Sequence, residues 1–251
     1  MKKPSLLLVG YGRFGSFAAH ILLGRFSVHV LEHRRGVRLG PSLKRASIKD
    51  LDRFGIVILA LPAHRLEAFL RRYGQRFRPG AFIADVCAVK DAPSKWMKRH
   101  LPEDVSFAGL HPLFGPDSAA TGVRGHTVVV CRGRTTPACH RRLLSTLRKF
   151  GLKAVETNPV IHDRSMASTL FLTQFIGSIL PPRMVSDPPP LATPAWQHLS
   201  LVAWRAAGNS PELLEELYRY NPFCAICLRH LKNNFHRESC RLEALVWKFS
   251  R

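Results

Sequence analysis

The feature that most constrains the fold of this 251-residue chain is a glycine motif close to its start. Residues 6–9 form an apolar run typical of a buried β-strand, and they lead directly into Gly10-Tyr11-Gly12-Arg13-Phe14-Gly15. A helical pattern follows over residues 14–23. Here the first glycine permits a tight turn, the second lets the backbone approach a pyrophosphate, and the third allows close helix packing. The motif predicts a dinucleotide site at a helix N-terminus, formed by Gly10, Gly12, Arg13, Phe14 and Gly15.

An acidic residue in the expected position strengthens this prediction. The next predicted strand, residues 28–31, is followed by Glu32, about 20 residues after the glycine motif. A carboxylate there accepts a hydrogen bond from the ribose 2′-hydroxyl and repels a 2′-phosphate, so it favours NAD as the cofactor. Arg34 and Arg35 follow closely and could serve NADP instead, or lie in a solvated loop.

The chain divides into two regions of different secondary structure. Through residue 157, apolar strand runs alternate with helical patterns, which predicts a Rossmann-like, doubly wound parallel sheet in a dinucleotide-binding domain, residues 1–157. Later residues lack strand signals, which predicts a smaller all-helical domain for substrate binding and dimerisation, residues 158–251. Its helices are expected at residues 163–180, 195–207, 211–220 and 221–249, with a proline-rich loop over 181–194 and Ser210 as an N-cap.

The helix at residues 163–180 is apolar around nearly its whole circumference. Such a helix is expected to be buried on all sides, and fewer than a hundred residues are available to surround it. We therefore expect this region to form a homodimer. Its uncharged stretch, residues 165–180, contains Ser, Thr and Gln and is too short to span a bilayer, so the sequence predicts no membrane segment.

The charge is strongly basic, with a formal net value of +21. Residues 1–150 hold 27 basic and nine acidic side chains, so the excess lies mostly in the predicted dinucleotide domain. Such a surface favours anionic partners. A nucleic-acid-binding or regulatory module on a dinucleotide fold is the alternative from a different class, but we find no recognised nucleic-acid motif. Six scattered cysteines without a secretory leader predict a reducing, cytoplasmic location.

Two further segments carry residues suited to catalysis. Residues 84–90 end a predicted strand at the rim where open α/β sheets bind ligands, so Lys90 could meet a substrate carboxylate or face solvent. Residues 109–118 place His111 between glycines and prolines that restrict the backbone. A histidine that titrates near neutrality is suited to remove a hydroxyl proton during hydride abstraction.

A cysteine and histidine cluster near the C-terminus contains possible metal ligands, Cys224, Cys227, His230 and His236. Structural zinc sites need a turn that brings their ligands together. This run instead predicts one continuous amphipathic helix with cysteines on its core face, so no metal site is expected.

Together these motifs resemble the prephenate dehydrogenase family, which includes the arogenate and cyclohexadienyl dehydrogenases of tyrosine biosynthesis. The resemblance covers nearly the whole chain. His-Pro-Leu-Phe-Gly-Pro-Asp-Ser at 111–118 is similar to the family's catalytic-histidine segment, and residues 85–93 to its Ser-Val-Lys segment. Residues 161–177 resemble the start of its dimerising helical domain. The resemblance implies NAD-dependent oxidative decarboxylation of prephenate to 4-hydroxyphenylpyruvate. The alternatives are arogenate as substrate, giving tyrosine, or another hydroxy or imino acid acted on by a Rossmann-type dehydrogenase.

The resemblance also implies roles for individual residues. His111 takes the proton from the ring hydroxyl while hydride leaves the same carbon for the nicotinamide, and loss of CO2 aromatises the ring. Arg205 occupies the place of an arginine that holds the substrate's side-chain carboxylate. Two positions depart from the family pattern. Ala88 stands where a serine is usual, and Gln174 where a histidine is common, so Gln174 is expected to hydrogen-bond the substrate without carrying charge.

Overall fold

The computed structural model describes residues 3–181 and 189–249, and the chain divides into two compact units, Met1–His162 and Asp163–Arg251. The predicted boundary, between residues 157 and 158, lies just before a helix, Pro159–Met166. The two units divide inside that helix, after His162. The helix is continuous from the first unit into the second, so the end of the last strand is not itself the boundary.

The first unit is built on an eight-stranded sheet in the order β3-β2-β1-β4-β5-β6-β7-β8. The strands are β1 (Ser5–Val9), β2 (Ser27–Leu31), β3 (Lys44–Ala46), β4 (Ile56–Leu59), β5 (Phe82–Asp85), β6 (Ser106–Pro112), β7 (Thr127–Arg132) and β8 (Lys153–Thr157). The α-helices of this unit are α1 (Arg13–Leu22), α2 (Ala63–Tyr73), α3 (Asp91–His100), α4 (Pro137–Lys149) and the start of α5 (Pro159–Met166). Short 3-10 segments lie at Ile48–Arg53 and Gly74–Arg76.

The sheet confirms a Rossmann-like architecture with one correction. Neighbouring strands are parallel except β6 and β7, which pair antiparallel, so the sheet is mostly rather than wholly parallel. The structure also contains two strands that the apolar runs do not predict, β3 and β6. Glycine and proline weaken the strand pattern of β6, because Gly109 and Pro112 both fall inside it.

The turn from β1 into α1 is closed tightly by two glycines. Gly10 has φ +95°, a conformation that side chains other than glycine rarely adopt, and a Cβ there would overlap the carbonyl oxygen of Ala60. A Cβ on Gly15 would in turn overlap the carbonyl oxygen of Gly10. The first and third motif glycines are thus required by backbone packing, as the sequence predicts.

The second unit is helical, in agreement with the sequence. After α5 come a π-helical segment (Ala167–Phe171), α6 (Leu172–Ile179), α7 (Pro194–Gly208), α8 (Pro211–Tyr220) and α9 (Pro222–Phe249). The predicted loop at residues 181–194 lies partly outside the described residues. Ser210 occupies the N-cap position of α8 as predicted, but its side chain makes no cap hydrogen bond. Within the described ranges, no helix is long and apolar enough to cross a membrane.

The expectation that residues 163–180 are buried on all sides is wrong for this chain alone. Phe171 and Gly177 are buried, and a Cβ on Gly177 would come within 2.6 Å of the carbonyl oxygen of Val202 in α7. The opposite side carries exposed residues, among them Ile179 at 60% exposure. The segment is therefore buried along one face, against α7.

Candidate active site

The glycine turn leaves open space where a pyrophosphate is expected. Gly12 is the N-cap of α1, and a Cβ placed on it would meet no heavy atom within 4 Å. As a glycine it places no side chain over the start of α1, where the N-terminus of a helix favours an anion. The turn thus fits a dinucleotide pyrophosphate, with Gly12 at the point of closest approach.

The start of α1 is connected to the segment that follows His111. The Arg13 guanidinium pairs with the carboxylate of Asp117, and both side chains are about half exposed. Phe14 packs against Phe17 at 6.0 Å between ring centroids, and Phe17 lies edge-on to Phe114 at 6.3 Å. The predicted cofactor loop and the predicted catalytic segment therefore lie side by side in the first unit.

Glu32 is a buried carboxylate at the end of β2. Its Oε2 accepts the Tyr11 N–H at 2.9 Å, and its Oε1 accepts the Arg34 N–H at 2.8 Å. The Arg34 guanidinium also donates to both oxygens, at 3.1 Å each. Burial alone would raise the pKa of Glu32, but the bonds from Arg34 and Tyr11 outweigh it and lower the pKa to about 2. Arg34 is an exposed residue of the loop after β2, and its guanidinium binds the carboxylate predicted to meet the ribose.

His111 lies in β6, between β5 and β7, and is 7% exposed. Its Nδ1 is 2.8 Å from Nε2 of His162, which is 2% exposed. Burial lowers the pKa of His111 well below 6.5, and its electrostatic interactions with His162 and Lys90 lower it further. The imidazole is therefore held neutral. If its Nδ1–H donates to His162, its Nε2 is the nitrogen left to accept a proton.

His162 is a residue of the candidate site that the sequence did not predict. It belongs to α5, which begins directly after β8, where Asn158 Oδ1 accepts the Ile161 N–H at 2.9 Å. The available signal was the segment Ile161-His162-Asp163 immediately after a strand. Only the pairing of β8 with β7, and of β7 with β6, reveals that this histidine meets His111.

Lys90 does not face solvent, and its ammonium has no exposed surface to present to a substrate carboxylate. The side chain is 0% exposed and donates to Oδ1 of Asp85, which is equally buried. Burial raises the pKa of Asp85, while the neighbouring Lys90 charge opposes that rise. In this structure the Lys90 ammonium is instead engaged in a buried ion pair with Asp85.

Gln174 and Arg205 both lie in the second unit. Gln174 is 7% exposed; its Nε2 donates to the Ala206 carbonyl at 3.1 Å and its Oε1 accepts from Asn209 at 2.9 Å. In this structure the amide expected to meet the substrate bonds to the end of α7. Arg205 is exposed near the end of the same helix, so the Gln174 contacts fix the backbone beside it.

The C-terminal cysteines lie on a continuous helix, α9, as predicted. Burial raises the pKa of Cys224 to about 12, and it also raises the pKa of Cys227. Across residues 3–181 and 189–249, no group of three or more metal-binding side chains is arranged to hold an ion.

Comparison with known proteins assigns this arrangement to a family. The family model for the nucleotide-binding domain of prephenate dehydrogenase matches residues 21–153. The chain belongs to the prephenate dehydrogenase family. A Methanocaldococcus jannaschii protein named "Probable arogenate/prephenate dehydrogenase" is 25% identical over 73% of this chain and 43% of its own. Arogenate dehydrogenase 2 of Arabidopsis thaliana is 26% identical over 86% of this chain and 64% of its own.

A solved member of the prephenate dehydrogenase family shares the fold along almost the whole chain. The crystal structure of prephenate dehydrogenase from A. aeolicus, in complex with hydroxyphenyl propionate and NAD+, superposes with a TM-score of 0.74 at 16% identity. It covers 97% of this chain and 93% of that one. The chain thus spans about half the length of the two relatives above, while it matches nearly all of this structure.

Proposed function

We propose that this chain is an NAD-dependent dehydrogenase that oxidatively decarboxylates prephenate to 4-hydroxyphenylpyruvate. The observation that carries the proposal is the buried His111–His162 pair, which lies in the same unit as an open GxGxxG turn. Membership of the prephenate dehydrogenase family supports the same reaction class. Arogenate is the alternative substrate, because similar proteins are named for both compounds.

His111 is the general base of the proposed reaction. Its Nε2 accepts the proton of the ring hydroxyl, and its Nδ1–H donates to His162, which holds the ring in one tautomer. NAD, when bound, supplies the acceptor for the hydride that leaves the hydroxyl-bearing carbon. The ring carboxylate then departs as CO2, and its bonding electrons complete the aromatic ring as a phenolate, which takes a proton back from the His111 imidazolium. The reverse reaction becomes unfavourable.

Substrate binding is proposed to rest on Arg205. A guanidinium grips a carboxylate through two parallel hydrogen bonds, which suits the side-chain carboxylate that prephenate and arogenate share. Gln174 supports that binding indirectly by holding the Ala206 carbonyl, next along the chain from Arg205. The two substrates differ only in a pyruvyl or an alanyl side chain, so a direct comparison of turnover decides between them.

The cofactor is proposed to be NAD, with Glu32 as the acceptor for the ribose hydroxyls. The Arg34 guanidinium, which is about half exposed, must release Glu32 for the ribose to bind. Removing the carboxylate charge in Glu32→Gln is expected to weaken NAD binding and to narrow the preference for NAD over NADP, because the repulsion of a 2′-phosphate is lost. Titration of both cofactors by fluorescence measures this ratio.

The activity test is direct. The purified chain is incubated with prephenate or arogenate and with NAD or NADP, and reduced nicotinamide is followed by absorbance. His111→Asn is the matched control: it is expected to abolish turnover and to leave NAD affinity little changed, because a base acts in the transition state. Absence of turnover in all four combinations contradicts the proposal, and an equal loss of both properties gives His111 a structural role.

We further propose that the chain forms a homodimer through its helical unit. Large apolar side chains are exposed on this unit, including Trp204 at 51% and Phe235 at 73%. Pairing with a second copy of the unit would remove such side chains from water. Light scattering after size-exclusion chromatography is expected to give twice the mass of one chain, and a monomer at micromolar concentration contradicts the proposal.

A further inference from the structure

A buried ion pair lies beside the proposed base, on the same face of the sheet. Asp85 ends β5, and its register partner on β6 is Gly109, two residues before His111. Because side chains alternate along a strand, Asp85, Gly109 and His111 face the same side. Lys90 reaches back from the start of α3 to Oδ1 of Asp85, which also accepts the Cys87 N–H at 3.0 Å.

The strand next to the pair is shaped to admit it. A Cβ on Gly109 would come within 2.9 Å of Cδ of Lys90 and 3.2 Å of Oδ2 of Asp85. Any side chain at this position would displace the lysine. Glycine at position 109 therefore leaves room for the methylene groups of Lys90.

The Asp85–Lys90 ion pair is not expected to add much to the stability of the fold. Each buried ion costs several kcal/mol of desolvation, and the attraction between the two repays this only when their remaining hydrogen bonds are satisfied. In the part of the chain that the structure describes, Oδ2 of Asp85 has no hydrogen-bond partner. A costly and incompletely satisfied ion pair beside a catalytic base suggests a role in the chemistry.

The charged and titratable groups around His111 come from four elements. His162 approaches from α5 and Lys90 from the start of α3, while Asp85 of β5 is the counter-ion of Lys90; Cys131 of β7 lies beside Gly109. After burial, His162 and Lys90 are the causes that lower the pKa of His111. A substrate carrying two carboxylates would favour the imidazolium form, and a fixed positive charge opposes that effect.

We propose that Lys90, held in place by Asp85, is a positioning residue whose buried positive charge keeps the His111 imidazole neutral and ready to accept a proton. The consequence of the Lys90 charge for catalysis rests on the proposed function, whereas the effect of that charge on His111 is measurable without any substrate.

The test is a titration of His111 by NMR in the full chain, with its ring signal assigned by comparison with His111→Asn. In Lys90→Met the midpoint is expected to move up by about one pH unit, the order of effect of one nearby charge. Asp85→Asn/Lys90→Met removes both charges together, a change that buried pairs tolerate better than loss of one partner, and is expected to move the midpoint in the same direction. Lys95→Met is the matched control, because Lys95 is an exposed lysine on α3 paired with Asp91.

The outcomes are separable. If the midpoint stays in place or moves down in the folded variants, or if Lys95→Met shifts it equally, the inference is overturned. If it moves up, the acid limb of the kcat/KM profile is expected to move with it. An NMR shift without turnover on any tested substrate leaves the electrostatic role in place and rejects the proposed function instead.

Discussion

Glu32 offers a quantitative test of how the cofactor loop is held together. In the folded chain its pKa is about 2 against an ordinary value of 4.5, and its side chain is 3% exposed. Because the folded pKa is lowered, the carboxylate stabilises the fold above pH 4.5, and that stability is lost as the pH falls through 2. At 1.36 kcal/mol for each pH unit, the full contribution is about 3 kcal/mol.

The perturbation is Glu32→Gln, which keeps the shape of the side chain and removes its charge. The free energy of unfolding is measured by urea denaturation with far-UV circular dichroism at pH 7 and at pH 3. At pH 3 the linkage relation leaves about 1.4 kcal/mol of the stabilisation, so the advantage of the wild type over the variant is expected to fall by about 2 kcal/mol. Other carboxylates titrate equally in both proteins and cancel in the difference.

Asp104→Asn provides the comparison, since it removes an exposed carboxylate from a turn of the same unit. Its effect over the same pH range reports what loss of one negative charge does in this basic protein. If the wild type exceeds Glu32→Gln in free energy of unfolding by the same amount at pH 3 and at pH 7, the reasoning is contradicted. The hydrogen bonds from Tyr11 and Arg34 then do not hold the Glu32 carboxylate in the way the structure shows.

Three further changes test the site. His162→Phe is expected to lower kcat about 100-fold in steady-state kinetics, with little change in KM. His162→Gln keeps a side chain that can accept the His111 proton and is expected to restore part of the rate. An equal loss of kcat in both variants contradicts an orienting role for His162. Gly12→Ala is expected to keep the melting temperature and weaken NAD binding, whereas Gly15→Ala lowers both; calorimetry and cofactor titration test the contrast. Gln174→Leu is expected to destabilise the fold by about 2 kcal/mol in thermal unfolding, and a raised KM with an unchanged melting temperature supports the substrate contact instead.

The turn between β1 and α1 is predictable because its constraints are local. Gly10 and Gly15 are required by backbone atoms only a few residues away or on the neighbouring strand, so residue type and spacing already specify the geometry. Glu32, the acidic residue directly after β2, is predicted by the same pattern. What the pattern does not reveal is that the Arg34 guanidinium lies on Glu32. A short polar segment after a strand is compatible with many conformations.

The contacts of Lys90 and His111 depend on topology and were not predictable in the same way. A lysine is rarely buried, so the sequence favours exposure, yet Asp85 and Gly109 create a pocket for Lys90 that only the pairing of β5 with β6 makes visible. His111 and His162 are 51 positions apart. Their meeting requires β6, which the sequence pattern hides, to pair with a strand of opposite direction.

The contact between His111 and His162 bears on what changes when Ala88 replaces the serine that is usual in the family. The family resemblance implies a serine hydroxyl at this position, beside the reacting alcohol and the nicotinamide. In this chain His111 Nδ1 lies 2.8 Å from Nε2 of a buried histidine, and in the proposed mechanism Nδ1–H donates across this contact, which leaves Nε2 to accept a proton. Loss of the hydroxyl therefore removes one polar contact to the reacting groups, and the base keeps its orientation. The same reasoning predicts that substitution of His162 disturbs the orientation of the base more than substitution of Ala88 does.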